Sequence, residues 1–155
     1  MKHLLYFLVF ITFPSFILAQ SYQIKNFEML KEAFDSGKEV RAVIKYAKCK
    51  LIVDSLETEA PDATGGMMFN TFEYFAKMSI NNPKAFVTTS ETVLISHKRR
   101  GFVYNYVKIK IYDDNSVEIT AKYLLPNTFE VVMDETFYSE INDGINDKGV
   151  LLYAR

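Results

Sequence analysis

An α+β, mainly β domain, with an N-terminal helix packed on a curved antiparallel meander sheet or partly closed barrel, is predicted by three observations. Phe27, Leu30, Ala33 and Phe34 recur at helical spacing. Apolar and polar residues alternate through Val40–Tyr46 and Phe102–Tyr112. Short clusters of turn-forming residues separate the later segments. Successive strands joined by tight turns pair antiparallel, and strands longer than the usual five or six residues tend to curl, so the sheet is expected to wrap on the helix.

Met1–Ala19 reads as a secretory leader. Lys2 and His3 give a positive start, Leu4–Leu18 is an apolar run broken only by Thr12, Pro14 and Ser15, and Leu18-Ala19-Gln20 resembles a cleavage point. The run is shorter than the about 20 residues of a spanning helix, so no membrane span is expected after cleavage. Residues 20–155 then form a single β-rich domain, secreted or periplasmic. In it, Asn26 caps the helix and Gly37 ends it. Strands are expected near residues 40–46, 66–77, 84–97, 102–112, 116–124, 129–138 and 149–154. The acidic stretch 54–64, with Asp54, Glu57, Glu59, Pro61 and Asp62, reads as a solvated loop.

Composition narrows the function classes. The whole chain carries a formal charge of −1, with 18 basic and 19 acidic residues. Loss of the leader removes one Lys and no acid, which argues against nucleic acid as a general partner. No Asn-X-Ser/Thr sequon occurs. Cys49 is the single cysteine, so no internal disulfide can staple the fold. Its neighbours Lys48 and Lys50 could activate the thiol, but a small buried residue at a strand end is the simpler reading.

Searched for chemistry, the residues nominate no catalytic centre, metal site or cofactor. His97 is the only histidine after the leader, too few for His-Glu-X-X-His zinc chemistry, and no Gly-X-Ser-X-Gly elbow exposes a serine. Gly65-Gly66 has neither Walker spacing nor a phosphate-binding helix after it. Asn142–Gly149 lacks the ligand alternation and terminal Glu of a calcium loop. Lys98-Arg99-Arg100 reads as a charged hairpin tip that could touch an acidic partner or a lipid headgroup.

Several linked segments carry a family resemblance: Gly65-Gly66-Met67, Phe72-Glu73-Tyr74-Phe75, Asn82-Pro83-Lys84-Ala85-Phe86, Gly101-Phe102-Val103-Tyr104-Asn105-Tyr106-Val107 and Ser116-Val117-Glu118-Ile119-Thr120-Ala121. The chain resembles the VirK family of small exported bacterial proteins. The resemblance implies a secreted or periplasmic, virulence-associated protein with no established biochemical activity, and it brings no catalytic residues.

Polar groups on apolar faces give the sharper candidates. Asn105 shares a strand face with Val103, Val107, Ile109 and Ile111, and burying its amide without a partner costs about 1–3 kcal/mol. Glu73, placed on one face with Phe69, Thr71 and Phe75, is the expected partner. Either the two form a structural network or they are the polar contacts of a cavity, with Tyr104 and Tyr106 as a recognition surface on the opposite face. The sequence thus favours a non-enzymatic binding protein for a small amphipathic ligand or a partner protein. A hydrolase using Glu73, Asp134 or Glu135 is the alternative.

Overall fold

The computed structural model describes residues 20–53 and 55–155. The leader expected at Met1–Ala19, and Asp54 in the acidic stretch, lie outside them. The chain runs β1 (Tyr22–Ile24), α1 (Phe27–Asp35), β2 (Val40–Lys45), a 3-10 turn (Tyr46–Lys48), β3 (Lys50–Val53), β4 (Leu56–Thr58), β5 (Thr64–Met68), β6 (Glu73–Phe75), β7 (Phe86–His97), β8 (Gly101–Tyr112), β9 (Ser116–Leu124), β10 (Val131–Glu140) and β11 (Val150–Ala154).

The helix forms where its capping chemistry predicts. The Met29 N–H donates to the Asn26 side chain at 2.9 Å, and Gly37 takes a left-handed φ of 69° just beyond the C-terminus. Phe27, Leu30 and Ala33 are buried. A second anchor comes from far along the chain. Asn115, in the β8–β9 turn with a φ of 68°, accepts the Phe27 N–H on its side-chain oxygen at 2.7 Å, while its own carbonyl accepts the Ile141 N–H.

The strands form two antiparallel sheets, and this corrects the expected single curved meander or partly closed barrel. One sheet has the order β1-β11-β2-β5, the other β4-β3-β10-β9-β8-β7-β6. Closure would require the outer strands of a sheet to pair with each other, whereas β4 and β6 end the larger sheet and β1 and β5 the smaller. The departure begins at the 3-10 turn, which carries the chain out of the smaller sheet after β2 and into the larger at β3. Later, β11 returns to lie between β1 and β2. Seven strands stay within the range of open twisted sheets, so strand length did not force closure. The segment expected as one strand at 66–77 is two, β5 and β6, one in each sheet. The acidic stretch expected as loop contains β4 and the first residue of β5.

One apolar core joins the two sheets and the helix. Val40, Ala42 and Ile44 of β2 and Val150, Leu152 and Ala154 of β11 share it with Leu51, Val87, Ile109, Ile119 and Phe137 of the larger sheet. Cys49 belongs to it as well, 8% exposed, its thiol 3.5 Å from the Lys45 carbonyl. Burial pushes the Cys49 thiol up, against a smaller opposing effect of the Ser139 hydroxyl. Neither flanking lysine offsets that burial. Iodoacetamide labelling of the native protein, followed by mass spectrometry, is expected to be at least about tenfold slower than in the unfolded chain, because the thiolate reacts. Equal rates would contradict this burial.

Candidate functional site

The outer face of the seven-stranded sheet holds the main concave feature. Strand alternation sends Val103, Ile109 and Ile111 of β8 inward, where they are buried, and turns Tyr104, Tyr106, Lys108 and Lys110 outward. The hairpin registers then assemble these side chains into rows across the sheet. Leu94, Tyr104, Leu124 and Val131 make one row; Thr92, Tyr106, Lys122 and Asp134 the next; Ser90, Lys108, Thr120 and Thr136 the third. A cleft of about 710 Å³ runs over the three rows.

Its walls and floor differ in chemistry. At the apolar end the ring of Phe129 lies nearly parallel to that of Tyr104, 4° apart with centroids at 6.1 Å. Phe129 stands in the β9–β10 connection, where its N–H donates to the Leu125 carbonyl at 2.8 Å and the Leu125 N–H donates to Glu130 at 2.9 Å. This turn holds Phe129 at a φ of 56°, a conformation costly for a bulky residue, with its side chain 66% exposed. Toward the polar end, Lys122 is paired with Asp134 at 2.8 Å. Lys108 has no such carboxylate among the described residues and sits between the hydroxyl-bearing Ser90 and Thr120. The arrangement can hold a flat apolar group against two aromatic rings and an anion or polar group at a lysine.

The four sequence candidates do not converge. Tyr104 and Tyr106 line the cleft. Glu73 is on the same outer face, opposite Thr88 at the sheet edge, in a shallow hollow of about 400 Å³ that also reaches Lys108. Asn105 is on the other face. It pairs with Val93, five residues from Thr88 along β7, and opens on a small hollow of about 110 Å³ beside Tyr46, Gly65 and Glu91. The expected Asn105–Glu73 partnership is therefore absent. Its basis was a face parity counted continuously from Phe69 to Phe75, and the chain changes sheet between Met68 and Glu73. Nor is the Asn105 amide sealed: the residue is half-buried, and among the described residues no buried side-chain nitrogen or oxygen lacks a partner.

Carboxylate chemistry finds no support in the geometry. Asp134 faces outward and is ion-paired, Glu135 points to the opposite face beside Ala121, and Glu73 is four strands from β10, about 19 Å at the usual spacing. Paired carboxylates act within about 10 Å. His97 accepts the Arg99 N–H at 3.3 Å in the β7–β8 turn and packs against Tyr123. Among the described residues no three His, Cys, Asp or Glu side chains converge as for a metal, and no helix is long and apolar enough to cross a membrane.

The model of the family described as VirK protein matches residues 23–129, more than half of the sequence. The chain belongs to the VirK family. Its fold is similar to that of a crystal structure described as a VirK family protein from Legionella pneumophila, with a TM-score of 0.64 at 14% identity, over 84% of this chain and 97% of that one. At that identity the likeness establishes the fold. No curated protein matches the sequence.

Sequence reasoning missed Phe129, Lys108 and Lys122 of this VirK-family cleft. The two lysines were recoverable: the tight turn at Asp113–Asn115 fixes the β8–β9 register, which sets Lys108 opposite Thr120 and Tyr106 opposite Lys122. Phe129 left no signal, since nothing in Pro126–Glu130 marks a left-handed phenylalanine.

Proposed function

We propose that this VirK-family chain is an exported, non-enzymatic binding protein, secreted or periplasmic and associated with virulence, that seats a small amphipathic ligand on the outer face of its larger sheet. The leader-like residues 1–19 support export, and the family supports the compartment. The observation that carries the binding reading is the pairing of an aromatic clamp, Tyr104 and Phe129, with Lys108 in one cleft. Ligand sites combine apolar walls with a few placed polar groups, and a strained, exposed aromatic is of little use to the fold itself. Tyr106 belongs to the same contact surface and Glu73 to its rim. Asn105, on the opposite face, contributes no contact.

Phe129→Gly separates the binding reading from a structural one. Glycine accepts the left-handed φ without penalty, so stability should stay equal or rise by about 1 kcal/mol. Native mass spectrometry of protein purified from its own host is expected to show a retained small molecule that Phe129→Gly and Lys108→Met each remove and Asn105→Leu leaves in place. Retention in the first two variants, or the absence of any retained molecule in the wild type, would overturn the proposal.

A further inference from the structure

Charge and exposed apolar surface concentrate at the end of the β7–β8 hairpin, next to the Tyr104 end of the cleft. From Thr92 to Tyr112 the chain carries five basic residues and no acidic one, in a protein of overall charge −1. Three of them, Lys98, Arg99 and Arg100, form the turn itself. The turn is closed by the Arg100 N–H donating to the His97 carbonyl at 3.2 Å and by Gly101 at a φ of 70°. All three are exposed, and none is ion-paired among the described residues. Behind the turn, Leu94 (51% exposed) and Phe102 (65%) project from the outer side of the ribbon and Val93 (47%) from the inner side. The hairpin outruns β9, whose pairing with β8 stops at Tyr104, by three residue pairs, about 10 Å.

Edge protection does not account for this pattern. Lysines that blunt a sheet edge stand along the edge strand, and β7 carries none from Thr89 to His97. A second copy of the chain is disfavoured, because two such turns brought together repel each other. Phe102 is the exposed apolar side chain of the overhang, on its outer side, with Leu94 next to it where β9 still flanks the hairpin and Val93 on the inner side at the same level. A cationic turn beside exposed apolar side chains is complementary to a surface that pairs anionic headgroups with an apolar interior.

We infer that the β7–β8 tip docks on an anionic lipid surface, Lys98, Arg99 and Arg100 engaging the headgroups while Phe102, Leu94 and Val93 enter the acyl boundary. Cations flanking an apolar wedge have this effect at interfaces: each basic residue adds Coulomb attraction to a negative leaflet, and apolar burial adds a term that salt does not screen. The docking is peripheral: Phe102 and the three turn residues do not line the ligand cleft, and Leu94, opposite Tyr104, stands where the two surfaces adjoin.

The chain contains no tryptophan, so Phe102→Trp gives a fluorophore that reports on the tip alone. The whole chain is expressed, and the accumulated product, its N-terminus read by mass spectrometry, is mixed with vesicles. With equal parts phosphatidylglycerol and phosphatidylcholine, the emission should shift to the blue, and pure phosphatidylcholine should leave it unchanged. Adding Lys98→Gln, Arg99→Gln and Arg100→Gln should weaken partitioning about 100-fold. Wild-type co-sedimentation with the same vesicles, falling as salt rises, checks the result without the new side chain. An unshifted emission, equal partitioning of the charge-neutralised variant, or a response to polyglutamate in place of vesicles would overturn the inference. The last outcome would point to an acidic protein instead.

Discussion

Phe137→Ala is expected to lower the free energy of unfolding by about 3–5 kcal/mol, the range for removing a large buried aromatic side chain. Phe137 is 2% exposed, the largest of the fully buried side chains. Two strands flank it on the inner face, with Ile119 of β9 and Leu51 of β3 as its cross-strand neighbours. Above it the ring of Tyr46, from the turn that links the two sheets, packs at 4.8 Å and 57°. Truncation therefore opens a void between rigid strands and removes the support of the connection as well. Partial collapse would bring the loss to the lower end of the range, since the cost tracks the cavity that remains. Urea denaturation is the measurement: the midpoint should fall at unchanged slope. A loss under 1 kcal/mol would mean that the two sheets do not meet across this ring.

Gly149→Ala should cost about 2–3 kcal/mol, from overpacking and not from a hole. A methyl group at Gly149 would lie 2.6 Å from the Cys49 sulfur, 2.8 Å from the Lys45 carbonyl oxygen and 3.3 Å from the Lys48 carbonyl carbon. Two of these neighbours are backbone, and the Gly149 backbone is fixed at both ends: its N–H donates to the Ser139 hydroxyl at 3.0 Å and its carbonyl accepts the Lys45 N–H at 2.8 Å. The added carbon can be admitted only by moving the 3-10 turn off β11. Cys49→Ala in the same chain should recover part of the loss by removing the sulfur, and the carbonyl contact should keep the rest. A double-mutant cycle of thermal midpoints reads the coupling directly. Full recovery would place the whole clash on the sulfur.

Legibility from the sequence follows the range of the interactions. The hairpins from β7 to β10 were readable because each is set by a local turn and sustained alternation, and the helix because Asn26 and Gly37 mark its ends. Strands β1, β3 and β4 were not readable: with three or four residues each they have no period to detect, and β1 and β3 exist through partners distant in sequence, Tyr22 opposite Ala154 and Leu51 opposite Phe137, with β4 added on β3. Division into two sheets was hidden for the same reason, since alternation reports which way a side chain points and not which strand lies beside it. The outward facing of Tyr104 and Tyr106 came through; the supposed contact of Asn105 with Glu73 failed where face parity was carried across a change of sheet.

The placement of β11 between β1 and β2 also governs when the molecule can become complete. Until Val150–Ala154 arrives, the two earlier ribbons have no common neighbour, and a nine-residue helix is too short to persist unaided. Its clasp at Asn115 is likewise supplied late. The smaller sheet of this design therefore closes only after the hairpins of the larger sheet have been made.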